Sequence, residues 1–288
     1  YETNTPIQED TYSYENANWQ DQLTKFNNET IIYDNIGNPL TIGNANLTWK
    51  NGKELATYLT DSKNISYKYN QQGIRTQKIV NGEIINYYLE GTKIIIEEKN
   101  NNMIYYIYNN NDLVGFSYNG QYYFYHKNIF GDIVGILNEE CEEIVTYEYD
   151  SWGKLLNLVD NSNINLGLIN PFRYRSYYYD NETELYYLNA RYYNPEWKRF
   201  LNADSIFMRQ FPLSYNLYSY CENNCINNID MSGHFFKKLK KAITKIANNK
   251  YVKKAIKVIN KFNSFLDIVI SLVIISSVNV VVSIKLFV

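Results

Sequence analysis

Between short polar breaks the chain alternates an apolar or aromatic residue with a polar one, as in Ile65-Ser66-Tyr67-Lys68-Tyr69 and Val145-Thr146-Tyr147-Glu148-Tyr149. A period of two, filled with β-branched and aromatic residues, predicts strands with one buried and one solvated face. The breaks have the form Asx-x-x-Gly. Asn and Asp side chains accept hydrogen bonds from nearby backbone N–H groups, and Gly takes the positive φ that closes a hairpin. The pattern changes near residue 235, where apolar positions begin to recur at helical spacing, and again at residue 265, beyond which polar residues become rare.

The breaks repeat as a phrase. Tyr33-Asp34-Asn35-Ile36-Gly37-Asn38, Tyr69-Asn70-Gln71-Gln72-Gly73-Ile74 and Tyr149-Asp150-Ser151-Trp152-Gly153-Lys154 are full copies. Degenerate copies start at Trp49, Tyr88, Tyr108 and Tyr125, so successive copies lie 16 to 24 residues apart. One hairpin cannot bury its own apolar face, so units of this kind must stack side by side. Tyrosine, of which there are 30, suits such a stack because it joins a large apolar ring to a hydroxyl that can stay wet or bond across strands.

Composition agrees with many short strands and argues against an α/β enzyme, whose apolar strands are longer and whose helices are richer in Ala. The net charge of −2 hides a split. Residues 1–233 hold 17 Lys+Arg against 29 Asp+Glu, a balance of −12; residues 234–288 hold 11 against 1, a balance of +10. Such a reversal marks a functional boundary between an acidic body and a cationic tail. The three cysteines, Cys141, Cys221 and Cys225, lack the further ligands that zinc needs, so no metal site is expected and Cys221 and Cys225 read as buried or bridged thiols. No signal-peptide pattern opens the chain, and Tyr1 is not Met, so the sequence reads as a piece of something longer.

The phrases at Tyr33–Leu40 and Tyr149–Leu155 resemble YD repeats. The stretch from Asn170-Pro171-Phe172-Arg173-Tyr174-Arg175 through Glu184-Leu185-Tyr186-Tyr187-Leu188-Asn189-Ala190-Arg191-Tyr192-Tyr193-Asn194-Pro195 resembles the RHS repeat-associated core signature, continuing with Arg199-Phe200, Ala203-Asp204, Asn216-Leu217-Tyr218-Ser219-Tyr220 and Asn223-Asn224. The resemblance covers essentially residues 1–233, and the Asn-, Lys-, Ile- and Tyr-rich sequence is similar to clostridial and bacillar wall-associated members. It implies a mainly β fold: a spiral shell of YD-repeat β-hairpins over 1–160, a core plug over 161–233, and a variable tail over 234–288 that in this family is often a toxin. The tail is the shell's own cargo in that reading. An immunity protein is a further implied partner, and the location implied is secreted or associated with the cell surface or wall.

In many bacterial members of the resembled family the core is an aspartyl autoprotease. Mapped by residue, that implies Asp204 and Asp230 as the acidic pair, Arg199 as the assisting arginine, and His234–Phe235 as the bond cut. The chemistry suits two carboxyls sharing a proton, because like charges about 3 Å apart cannot both ionise; an arginine beside them stabilises a developing oxyanion. This sequence departs from the family pattern. Ser205 and Met231 follow the two aspartates where Pro is usual, Lys198 precedes Arg199 in place of Gly, and His234 replaces Leu or Phe. Losing Pro frees φ in the segment that presents the bond. Two readings therefore stand, a self-cutting core and a non-cutting plug in which both aspartates form turns.

Residues 235–262 carry ten lysines and no acid, with Leu239, Ile243 and Ile246 on one face and Lys237, Lys238, Lys240 and Lys241 among the cations. This predicts a cationic amphipathic helix of the kind that lies on anionic membranes. Ile268–Ile284 is 17 residues without a charge, near the lower limit for a membrane-spanning helix, and a buried strand pair is the alternative. The tail has one Asp, no Glu and no Cys, so neither an enzymatic payload nor a cofactor is expected. Nucleic-acid binding is not expected either, since it would leave the apolar end unexplained. The function expected is a shell that delivers a membrane-active C-terminal payload, with self-cleavage at His234–Phe235. The alternative is a non-enzymatic cell-surface adhesion shell with the apolar tail as a membrane anchor or as a degenerate tail.

Overall fold

In a computed structural model of the chain, the structure describes residues 9–204, 216–230, 233 and 236–238. Within these, sixteen strands from β1 (Tyr12–Ser13) to β16 (Leu155–Asp160) form one antiparallel sheet, each strand pairing only with its neighbours in the sequence. The alternation sets the faces. Ile65 and Tyr67, like Val145 and Tyr147, are buried, while Lys68 and Glu148 between or beside them face solvent.

Each full repeat closes in the same way. The Oδ1 atom of Asp34 accepts from the N–H groups of Ile36 and Asn38 at 3.0 and 2.8 Å. Asn70 does the same for Gln72 and Ile74, and Asp150 for Trp152 and Lys154. The copy at Tyr125 is complete in structure too, with Asn128 capping Phe130 and Asp132 and Gly131 at φ +85°. One turn carries no visible glycine signal: Asn138 caps Glu142, and Cys141 occupies the left-handed position at φ +63°.

The repeat aromatic has a second use. Register shifts fall beside Tyr33, Trp49, Tyr69, Tyr108 and Tyr149, so the strand after each turn carries a β-bulge. Each of these side chains donates to a main-chain carbonyl of the preceding unit: Tyr33 to Leu23, Trp49 to Pro39, Tyr69 to Leu55, Tyr108 to Ile94 and Tyr149 to Ile133, at 2.7 to 3.1 Å. Bulges add local twist and bend the strand that holds them. Repeated from hairpin to hairpin, they curve the whole sheet.

The curvature matters because of what the sheet encloses. Sixteen flat strands would be about 70 Å wide. Yet the segment after β16 touches the sheet from one end to the other. It contains a one-turn helix α1 (Leu166–Ile169) and a small antiparallel sheet of β17 (Tyr178–Asp180), β18 (Leu185–Tyr187), β19 (Tyr192–Asn194) and β20 (Arg199–Phe200). Arg199 reaches Tyr14 and Asp21 near β1, Tyr178 bonds Tyr87 in mid-sheet, and Tyr174 bonds Ser151 near β16. A plug this small meets both ends only if the sheet wraps around it. Its aromatic side chains merge with the inner face into one core, with Tyr106 edge-on to Phe172 at 4.8 Å and Tyr67 packed on Tyr192.

The tail differs from expectation where it is described. Phe236–Lys238 form a strand, β22, paired antiparallel with β21 (Asn228–Asp230), in place of the first turn of a helix over 235–262. Three residues offered a ready strand partner gain more from pairing than from starting a helix, whose first turn is costly to nucleate. The rest of the expected helix, Leu239, Lys240, Lys241, Ile243 and Ile246 included, and the apolar segment 265–288 lie outside the described residues. Among the described residues no helix is long and apolar enough to cross a membrane.

Candidate functional site

The loop joining β18 to β19 turns through Asn189 at φ +59° and delivers Arg191 into the interior. Its guanidinium carbon lies over the Phe200 ring, 3.5 Å from the ring centre. Nη2 is 3.0 Å from Asp204 Oδ2 and 3.6 Å from Asp230 Oδ2, Nη1 donates to the Leu217 carbonyl, and Nε donates to the Gly233 carbonyl. One buried cation thus gathers two aspartates 26 residues apart in sequence and the carbonyl of the residue before His234. Burial pulls the Arg191 guanidinium below its ordinary pKa, and the carboxylates of Asp204 and Asp230 act against that.

The two aspartates are held differently. Asp204 follows Ala203, whose N–H donates to the carbonyl of Gly37 in the first shell turn, and its own N–H donates to Leu217. Tyr218 donates to the same Gly37 carbonyl at 3.1 Å. Gly37 has φ +88°, and a Cβ there would lie 2.6 Å from the Tyr218 hydroxyl and 2.8 Å from Ala203 Cβ, so both the turn and the close approach require glycine. Asp230 is 3 % exposed, its N–H donates to the Tyr177 hydroxyl, and its Oδ1 accepts from Gly233 N–H at 2.8 Å. Asp204 opens onto a groove of about 590 Å³ between shell and plug, lined by Trp19, Lys53, Glu54, Tyr69, Tyr187 and Tyr192.

Arg199 sits elsewhere in the plug. It donates to the Tyr14 hydroxyl at 2.9 Å and the Asp21 carbonyl at 2.5 Å, and lies over the Tyr218 ring. The structure brings Asp204 and Asp230 together through Arg191, which sequence reasoning passed over. The available signal was an arginine alone in the otherwise uncharged run Tyr186–Pro195. His234 and Phe235 lie outside the described residues. Cys221 and Cys225 are buried free thiols near the site, and burial raises the pKa of Cys221 well above its ordinary value.

No family model matches the chain. Among curated proteins it is 35% identical over 228 residues to the tRNA3(Ser)-specific nuclease WapA of Bacillus spizizenii and to the tRNA nuclease WapA of Bacillus subtilis, in each case 76% of this chain and 10% of the relative. It is 27% identical over 194 residues to salivary gland surface protein 1 of Aedes aegypti, covering 60% of this chain and 5% of that one. The chain therefore spans about a tenth or less of the length of these relatives. Among solved structures, TccC3 in the crystal structure of TcdB2-TccC3-Cdc42 matches 78% of this chain and 13% of its own, with a TM-score of 0.61 at 20% identity; the Photorhabdus luminescens Tc holotoxin pore gives 0.59 at the same coverage. Repeated capped hairpins, a sheet wrapped on a tyrosine-rich plug, and these likenesses in sequence and fold converge, and the chain belongs to the RHS/YD-repeat proteins.

Proposed function

We propose that this chain is the closing part of a toxin-type shell, in which hairpins over 1–160 and a plug over 161–233 enclose and deliver a C-terminal payload that starts at 234, and that the plug releases the payload by hydrolysing the His234–Phe235 bond. The observation that carries the cut is the gathering of Asp204, Asp230 and the Gly233 carbonyl on the single guanidinium of Arg191. Arg191, in place of Arg199, is the arginine this reading uses. It anchors the carbonyl one residue upstream and keeps the carboxyls side by side.

Hydrolysis then proceeds with a water as the only co-reactant. One carboxylate takes a proton from the water, whose oxygen adds to the His234 carbonyl carbon. The other carboxyl gives a proton to the Phe235 nitrogen as the C–N bond breaks. His234 ends as a carboxyl terminus and Phe235 as an amino terminus. Intact mass of the purified chain tests this. Two fragments whose masses add up to the chain plus one water are expected from the wild type, with one uncut species from Asp204→Asn and from Asp230→Asn. A single full-length mass for the wild type would remove the cut from the proposal.

A second reading has its own support, since Asp230 caps its own turn by accepting from Gly233 N–H. In it the plug does not cut, and the shell is a surface-binding module anchored through the apolar tail. Recovery of an uncut chain in a membrane fraction favours this reading. For the payload we propose action on anionic membranes, on the ten lysines and missing acids of 235–262. Dye release from anionic liposomes by a peptide of residues 235–288 is expected, and no leakage at micromolar peptide counts against it.

A further inference from the structure

We infer that Lys53, a residue of the shell, is a positioning residue for the cut, holding Asp204 as the carboxylate that activates water and so making hydrolysis depend on the docking of one shell hairpin against the plug. The inference rests on the reading of Asp204 and Asp230 as the hydrolytic pair.

Lys53 follows the turn between β5 (Ala45–Lys50) and β6 (Glu54–Leu59), where Asn51 and Gly52 take φ of +47° and +84°. That turn is tied to the one before it, because Asn38 Nδ2 donates to the Gly52 carbonyl at 2.7 Å. The preceding turn in turn seats Ala203 and Tyr218 on the Gly37 carbonyl. Two adjacent shell turns therefore fix Lys53 and Asp204 relative to each other. The result is a 3.9 Å approach of Lys53 Nζ to Asp204 Oδ1.

Among the described residues the ammonium makes no other ion pair. Its nitrogen is shielded from solvent and makes no hydrogen bond among the described residues. A shielded ammonium left in that state is costly unless a nearby negative charge compensates it. Asp204 supplies that charge, and gains from it: Lys53 faces its Oδ1 while Arg191 faces its Oδ2. Cations on both sides favour the ionised form of Asp204, which suits it to the role of base.

The balance at Lys53 is correspondingly tight. Burial lowers its pKa, Asp204 raises it, and Arg191 lowers it. Among the described residues, the other titratable groups around this groove are Glu54 and the hydroxyls of Tyr69, Tyr187 and Tyr192, with Asp230 across Arg191.

The test follows the fraction of full chain cut over time, by intact mass, across a pH series for the wild type, Lys53→Met, Lys53→Gln, Lys53→Arg and Asp204→Asn. Loss of the cation raises the pH at which Asp204 protonates, so less base is present at any pH on the acid side. On the acid limb of the profile Lys53→Met and Lys53→Gln are expected to cut about tenfold more slowly, the limb having moved to higher pH. Lys53→Arg restores the wild-type profile. Wild-type rate and an unmoved profile in both neutral variants, with Asp204→Asn uncut, overturn the role of Lys53 and leave the cut standing. Slow cutting with an unmoved acid limb that Arg does not rescue marks a structural loss and also overturns it. A wild type that never cuts overturns both proposals.

Discussion

Arg75 Nη1 and Asp180 Oδ2 stand 2.6 Å apart with both side chains fully shielded from solvent, one on β8 (Arg75–Val80) of the shell and the other on β17 of the plug. Five tyrosine rings surround the guanidinium, those of Tyr187, Tyr178 and Tyr87 within 5.0 Å. Lys78 bonds the other Asp180 oxygen at 2.9 Å and Glu182 at 2.7 Å. Removing one member of such a cluster strands a charge in a dry interior, at about 3–5 kcal/mol. Asp180→Asn should lower the urea midpoint by a corresponding amount; an unchanged midpoint would show that the cluster does not fasten plug to shell.

The same cluster predicts the acid limit of the fold. Burial would raise the pKa of Asp180, but Arg75 and Lys78 outweigh it and hold the carboxyl below its ordinary range. A carboxyl depressed in the folded state stabilises that state above its unfolded pKa, about 3.9. That stabilisation is lost as pH falls from there through the folded value. Urea midpoints measured downward from pH 5 should drop chiefly below about pH 4, and the drop should shrink in Asp180→Asn.

At the alkaline end the tyrosines decide. Burial lifts Tyr147, Tyr179 and Tyr192 to about 12, from an ordinary value of 10.0. Each raised phenol contributes stability that is full below pH 10 and is lost as pH rises toward 12. Tyrosinate absorbance should therefore rise in a cooperative step that coincides with loss of circular dichroism. Smooth titration with the fold intact would contradict the buried placement of these rings.

Two glycines with nearly the same φ separate strain from contact. Gly82 has φ +91° and nothing within 4 Å of a built Cβ, whereas Gly153 has φ +88° and such a Cβ would meet the Tyr174 ring at 2.5 Å. Alanine at 82 should cost about 1–2 kcal/mol of backbone strain. Alanine at 153 adds displacement of a buried ring of the plug, roughly 1–3 kcal/mol more. Thermal unfolding of both variants checks the order, and equal losses would reject it.

The hydroxyl ladder predicts a third kind of loss. Tyr149→Phe leaves the Ile133 carbonyl without its donor and should cost about 1–3 kcal/mol. Tyr122→Phe, at a ring 51% exposed, should be neutral within about 0.5 kcal/mol. Similar losses at the two positions would mean that Tyr149 matters for its ring alone.

Much of this was legible in the sequence because it is local. The capped turns at Asp34, Asn70 and Asp150 need only residues four apart, and the buried faces follow from alternation. The turn at Asn138 hid because Cys141 stands where glycine is usual. Phe236–Lys238 are a strand where helical spacing predicts the start of a helix, because β21 lies ready to pair, a contact that helical spacing does not register. Of the candidate site, motif positions name Asp204 and Asp230, whereas Arg191 and Lys53 meet them only through tertiary packing that the sequence does not display.

The strict neighbour-to-neighbour order of the sixteen strands also fixes a sequence of events in folding. Each hairpin closes over a few residues and can form as soon as its own stretch of chain is available, which makes the sheet a fast, incremental structure. The links that lock the plug join residues as far apart as Gln22 and Tyr218, separated by 196 positions. They can form only after nearly the whole chain has emerged. Arg191, Asp204, Asp230 and Lys53 come from both plug and shell, so their meeting reports that the plug is seated.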